Sequence, residues 1–522
     1  MTIHRMNNHL AIAVMGLVLG VAPDVLAEPR PRPHPLPAAQ PLPAPRASGS
    51  EAPGPWAWVR TITPSEPEPL AFGPAIAADG GTLWIGPARD DDVGDGPPAV
   101  TAVALCAGPG LPTAEAWTVR HPALDRGASF GAAIAAAGGI AVSGAPSAGC
   151  GGGACDTGQA FLATCGHDGP RSVAEVACPG PRERAEFGGA VAVDGSTAAI
   201  GSPREGGIAW DAGAVDVFDV DAAAGTARHR ARLVSPAPTA SGRFGAALAV
   251  DGGCIAIGEP GAHGSGPGTL DSGAVHLATL VGGSWSITHT LRAPAGDGGW
   301  FGASLALAGD DLLVGAPIAA SPDGTRCGSV RHYRRSGGAW MPHRVLRHPA
   351  PEPGAAFGSS VAARDGWFAV GAPGDDREGE DAGAAFAGDL RSGRLRRLHA
   401  PSRAAGTGLG AGLAFGEGTG RPPTGPRRFL AVSGRRDPEL SPVPGAVELF
   451  GMREPEPVLL ADGARAAPTP APGAGQPVPQ PSAASAGAHS RSASAIAIAA
   501  DASVTRDGAQ PAATSRASAS GP

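Results

Sequence analysis

The sequence predicts an all-β protein: a seven-bladed β-propeller with four antiparallel strands per blade. Three observations carry this. A Phe-Gly dipeptide recurs at nearly constant intervals, a Gly-x-Pro element follows it at a fixed distance, and short apolar runs joined by Asp-Gly turns lie between the two.

The Phe-Gly copies stand at Phe72-Gly73, Phe130-Gly131, Phe187-Gly188, Phe244-Gly245, Phe301-Gly302 and Phe357-Gly358, with a seventh reading Leu409-Gly410. The steps are 58, 57, 57, 57, 56 and 52 residues. Fourteen residues after each of the six Phe comes a glycine opening a Gly-x-Pro or Gly-Pro element, as at Gly144-Ala-Pro146, Gly258-Glu-Pro260 and Gly371-Ala-Pro373. In the seventh unit the equivalent Gly434 arrives late because residues 416–426 are inserted. Within a unit, two apolar runs joined by a turn such as Asp194-Gly195-Ser196 form a hairpin. A third strand begins at Asp211-Ala-Gly-Ala-Val215 or its equivalents, and a fourth is marked by Trp117, Trp285 or Trp340 in three units. The seventh unit lacks a fourth strand, while an orphan strand, Trp56 to Ile62, precedes the first. That strand is expected to complete the last blade and remove its open edge.

The flanks read differently. Residues 1–27 have the pattern of a cleavable signal peptide: His4 and Arg5, an apolar run from Leu10 to Val21, and Val25-Leu-Ala27 at the cleavage site. Residues 28–55 are proline-rich and read as a stiff linker. The propeller spans 56–452. Residues 453–522, rich in Ala, Ser, Pro and Gly without aromatics, read as a disordered tail. An exported chain, secreted, periplasmic or at the cell surface and bacterial in type, is therefore expected, with no transmembrane segment once the leader is removed. Net charge is −7 and no long basic run occurs, so nucleic acid is not an expected partner. The 7 cysteines are an odd set for an oxidising compartment. Cys150 with Cys155, and Cys165 with Cys178, are the two candidate disulfides; Cys106, Cys254 and Cys327 have no obvious partner.

The Phe-Gly and Gly-Ala-Pro elements, with Asp-x-Gly-Ala-Val before the third strand, resemble the FG-GAP repeat family, which includes the head domain of integrin α subunits and many exported bacterial proteins. The resemblance covers about three-quarters of the chain. It implies a propeller whose loops on one rim meet partners. It also implies calcium in those members with an Asp-x-Asp-x-Asp-Gly loop between the first two strands. Here those connections are tight turns with one carboxylate or none, and the adjacent Asp310 and Asp311 do not alternate. The sequence therefore resembles members without calcium loops, and no metal or other cofactor is expected. The repeat residues themselves have structural roles: Phe packs between blades, Gly allows close backbone approach, and Pro fixes the strand exit.

Two acidic stretches lie in loops between second and third strands. Asp90, Asp91, Asp92 and Asp95 fall in blade one, and Asp375, Asp376, Glu378 and Asp381 in blade six. With Arg435 and Arg436 of blade seven between them, they are the candidate contact residues of one rim, against a plain solvated surface as the alternative. Enzyme signatures fail. Gly127-Ala-Ser129-Phe-Gly131 matches a nucleophile elbow in letters only, since no helix follows. No H-E-x-x-H occurs, and His167 with Cys165 and Asp168 reads as a turn. The reading is thus an exported, non-enzymatic binding or adhesion module that contacts a protein or glycan through loops of one face. A structural surface or matrix component is the alternative, and an enzyme using the central funnel a third.

Overall fold

The computed structural model describes residues 54–64, 72–87, 99–105, 115–121, 124, 126–149, 157–166, 169–264, 272–294, 298–401, 404–418, 428–434 and 445–452, with two short strands at His34–Pro35 and Ala497–Ile498. All of these fall within the unit Pro33–Pro522. The fold is a seven-bladed β-propeller of antiparallel sheets, with four consecutive strands in each of blades one to six. Blade four is typical: Ala247–Asp251, Cys254–Glu259, Ala274–Val281 and Ser284–Arg292, each paired with the next. The first strands of successive blades touch all the way round, blade seven meeting blade one, so they form the inner wall of the ring.

The repeat motif is the joint between blades. Inside blades two to six the backbone N–H of the Phe-Gly glycine donates to the carbonyl of the Gly-x-Pro glycine, as in Gly245 N to Gly258 O at 2.8 Å and Gly302 N to Gly315 O at 3.0 Å. Between blades, the α-carbon of Gly258 lies against the carbonyl oxygen of Gly302, where a Cβ would collide with backbone. Gly302 itself is held at φ +94, which an L side chain rarely adopts. The same contact recurs down the chain from Gly86 against Gly131 to Gly371 against Gly410. The Phe rings are buried beside it. Phe130, Phe187, Phe301 and Phe357 meet Phe161, Phe218, Tyr333 and Phe386 of their own third strands edge-on, with centroids 5.3 to 6.3 Å apart. Each apolar cluster spans a blade junction, Phe187 joining blades two and three and Phe301 joining four and five.

Ring closure repeats these contacts. Trp56–Ile62 pairs antiparallel with Val447–Met452, completing the sheet of Leu409–Glu417 and Arg428–Gly434. Gly445 lies against the backbone of Phe72 as Gly213 lies against Phe244. The closing strand is further held by buried Glu448, whose Oε2 accepts from Trp58 Nε1 at 2.7 Å and Thr61 Oγ1 at 2.9 Å. Trp56 packs against Trp367 and Phe415, so this pair of tryptophans is core and seam.

Hairpin-turn aspartates are a second joint. Asp79 Oδ2 accepts from Gly139 N at 2.7 Å and Asp194 Oδ2 from Gly252 N at 2.8 Å, with Asp251 and Gly309 N alike. Each carboxylate, in the place where related propellers build calcium loops, caps the neighbouring blade's turn. Among the described residues no group of three His, Cys, Asp or Glu side chains could hold a metal. Replacing Asp194 with alanine should lower stability by about 1 kcal/mol, read as a shift in the urea midpoint.

Two findings depart from the sequence reading. The proposed Cys165–Cys178 bridge does not form: Cys178 is a free thiol. Cys165 pairs with Pro170 at the turn end of its hairpin, and Cys178 lies beyond the opposite end of Gly169–Val176. About 20 Å of strand separates them, against the roughly 7 Å Cα limit for a bridge. Cys150 and Cys155 lie outside the described residues. Second, two pairings arise in the flanks. His34–Pro35 adds to the outer strand Glu115–Val119, and Ala497–Ile498 pairs with Ala247 and Leu248. The latter comes from the alternating run Ala495-Ile-Ala-Ile498, which has strand character inside an otherwise low-complexity tail.

Candidate functional site

The loops joining second to third strands, and fourth strands to the next blade, share one rim of the ring. Beneath it sit buried ionic knots that set the loop conformations. In blade six Asp375, with 0% exposure, follows the Gly371-Ala-Pro373 element. Its Oδ1 and Oδ2 each accept from Arg397 at 3.0 Å, and Oδ2 also accepts from His348 Nε2 at 3.0 Å. Burial alone would raise its pKa. The hydrogen bonds from His348 and Arg397, with the guanidinium charge, outweigh that and hold it at about 2. His348 belongs to blade five, so this knot ties two blades together.

Blade three repeats the arrangement with other residues. Glu205 occupies the place of Asp375 and Arg232 that of Arg397, and the two are ion-paired. Arg232 also reaches buried Asp216 at 2.8 Å, and His229 contacts the same carboxylate at 3.0 Å. At the junction of blades three and four, Glu259 Oε2 accepts from Ser235 Oγ at 2.9 Å and from His276 Nε2 at 2.7 Å. Ser235 here takes the part that His348 plays between blades five and six. Glu259 Oε1 has no partner, and Thr239 Oγ1, also unpartnered, faces the same spot beside Gly242.

These facts sort the contact residues expected from sequence. Asp375 is fully buried in its knot and is a positioning group, unavailable to a partner. Asp376, Glu378 and Asp381 are exposed, yet the loop largely satisfies itself. Asp376 Oδ1 accepts from Asp381 N at 2.7 Å, and Glu378 lies 3.7 Å from Arg397. Asp90, Asp91, Asp92, Asp95, Arg435 and Arg436 lie outside the described residues.

The rim instead presents a feature that sequence reading passed over. In the blade-three loop between Ser202 and Gly213, Ile208 is 64% and Trp210 61% exposed, the two most exposed large apolar side chains among the described residues. The Arg184 guanidinium lies 5.2 Å from the Trp210 ring centroid. Neighbouring Arg182 is paired with Glu205 at 3.2 Å, and Trp210 O accepts from Ser241 N at 2.7 Å. The blade-three loop and the two junctions that flank this blade thus converge on one tryptophan. The available signal was position: Trp210 falls between the Gly-x-Pro element and the third strand, off the strand pattern that accounts for Trp117, Trp285 and Trp340.

The nucleophile-elbow match has a structural origin. Ser129 has φ 54, but the residue before the repeat aromatic is left-handed in four other blades too: Glu186, Arg243, Trp300 and Ala356. Five different side chains in one strained turn mark the geometry of the repeat. Strand Ala133–Ala137 follows, and the Ser129 hydroxyl meets Ser147 at 3.3 Å. The thiols of Cys254, Cys327 and Cys178 are pushed up chiefly by burial, Cys254 to about 11.

A ring of seven antiparallel blades, jointed by paired Phe-Gly and Gly-x-Pro glycines and carrying its loops on one rim, defines the class of protein: a repeat propeller with a loop face. The model of the FG-GAP repeat matches residues 351–387, which run from the entry of blade six into its third strand. The chain is a seven-bladed β-propeller that carries an FG-GAP repeat in blade six and fits an FG-GAP propeller family. A search of curated proteins found no match. Among solved structures, the crystal structure of Saccharomyces cerevisiae Sqt1 aligns with 76% of this chain and 99% of that one, at 9% identity and a TM-score of 0.42.

Proposed function

We propose that this protein is an exported, non-enzymatic binding propeller that contacts a protein or glycan through the loops of one face. The observation that carries the reading is the exposed Ile208–Trp210 pair beside Arg184. Tryptophan and arginine dominate interface energetics, and a large aromatic held in place by neighbouring loops loses little entropy on binding. The buried knots under the rim support the same reading, because they fix the loop backbones at the cost of burying charge. The FG-GAP scaffold supports a binding or adhesion type of role and leaves the ligand to the loops.

The test is capture of partners from the extracellular fraction and from a glycan array. Wild type is compared with Trp210→Ala and with Leu280→Ala, the latter at the third-to-fourth strand turn on the opposite rim. Trp210→Ala should weaken retention at least 10-fold, a loss of about 1.4 kcal/mol or more, without moving the melting temperature. Leu280→Ala should leave it unchanged. Equal retention by all three proteins, or no retained species at all, would overturn the reading.

A further inference from the structure

We propose that the circumference of blades three to six is a docking belt for an acidic polysaccharide, separate from the loop face. The outermost strands of these four consecutive blades are Thr226–Leu233, Ser284–Arg292, Ala339–Arg347 and Leu395–Arg397. Together they hold eight Arg and three His and no Asp or Glu. Across the whole chain acids outnumber arginines, 47 to 40, so the belt runs against the composition.

Guarding a sheet edge against pairing requires charge but not one sign of it. Blade two shows this, since its outer strand carries both Arg171 and Glu175. The single sign in blades three to six therefore calls for a second cause. Arg228, Arg230, Arg292, Arg347 and Arg396 are exposed. Asp219 lies 3.9 Å from Arg230, but Arg228, Arg292 and Arg347 make no ion pair among the described residues. Blade edges are also linked: Arg230 Nη2 donates to Gly283 O of the next blade at 3.0 Å, and Arg344 Nη2 to Arg391 O at 3.0 Å. The positive edges are thus joined between blades three and four and between five and six, which suits a long anion rather than a point ligand.

The chemistry narrows the polymer. Guanidinium groups grip carboxylate and sulfate in bidentate fashion. A single-stranded nucleic acid would want exposed aromatic platforms for its bases. On these strands Trp340 is buried and Trp285 half-buried. A chain of regularly spaced carboxylates or sulfates, without bases, fits both facts.

The experiment uses the full chain on immobilised polygalacturonate, heparin and single-stranded DNA at about 50 and 300 mM salt, a range over which screening of exposed charges rises steeply. Retention is expected on one or both polysaccharides at the lower salt and its loss at the higher. Retention on polygalacturonate means that carboxylates suffice, and retention on heparin alone means that sulfates are needed. The triple variant Arg228→Ser, Arg292→Ser, Arg347→Ser should bind at least 10-fold more weakly with an unchanged melting temperature. Trp210→Ala should bind as wild type does, which separates this belt from the loop face. The inference is sunk by no retention on either polysaccharide, by undiminished binding of the triple variant, or by equal or tighter binding to DNA.

Discussion

Gly258→Ala is expected to lower stability by about 3 kcal/mol or more, the upper end of what overpacking costs in a rigid core. The added methyl would meet the carbonyl oxygen of Gly302. That oxygen is backbone, fixed by the neighbouring hairpin, so no rotamer change relieves the clash. The whole of blade five would have to move outward, opening the layer of Phe301, Leu305 and Val314 that closes the junction. Gly252→Ala, six residues earlier, makes the control. It sits in an open turn at φ +56 with nothing within 4 Å, so only its backbone strain counts, about 1 kcal/mol. Denaturant midpoints should rank wild type, Gly252→Ala, Gly258→Ala. Equal costs for the two glycines would mean that the blade joint is looser than the contact implies.

Asp375→Ala should be the most damaging change on the rim, by about 3–5 kcal/mol, because it leaves buried His348 Nε2 without its acceptor and Arg397 with only the longer contact to Glu378 at 3.7 Å. The same knot makes acid stability specific. Asp375 titrates at about 2 in the fold against 3.8 ordinarily. As pH falls, the unfolded chain therefore takes up its proton first. The contribution, about 2 kcal/mol, is whole above pH 4 and fades as pH falls through about 2. Melting curves of wild type and Asp375→Asn from pH 7 to pH 2 check this. Their difference should shrink between pH 4 and pH 2, and a constant gap would show that the carboxylate is not held ionised by its partners.

The ring was legible in the sequence because its joints are local and repeated. Phe244-Gly245 and Gly258-Glu-Pro260 are both seen in one blade and again in the next, and each pairs with its neighbour at the same offset. The closing strand Trp56–Ile62 was legible for a related reason, as the fourth strand missing from the last unit. Contacts made once, between residues at different steps of the repeat, were not. The pairing of His348 with Asp375 depends on how the end of one blade meets the loop of the next, and no spacing rule announces it. A run of carboxylates therefore looked like a contact surface when its first member was a buried brace. Cys165 and Cys178 misled in the same way. Their places on the two neighbouring strands of one hairpin suggested a bridge, while strand register carried them to its opposite ends.

The loop face is the centre of the functional account, and photo-crosslinking tests it most directly. A photoreactive phenylalanine analogue is placed at Trp210 in one protein and at Leu280, on the opposite rim, in another. Both are irradiated in the extracellular milieu of the producing cells. The account predicts a discrete crosslinked species from position 210, lost when excess unlabelled propeller competes and absent from position 280. Crosslinks of equal yield from both rims, or none that competitor removes, would contradict a binding site at the blade-three loop.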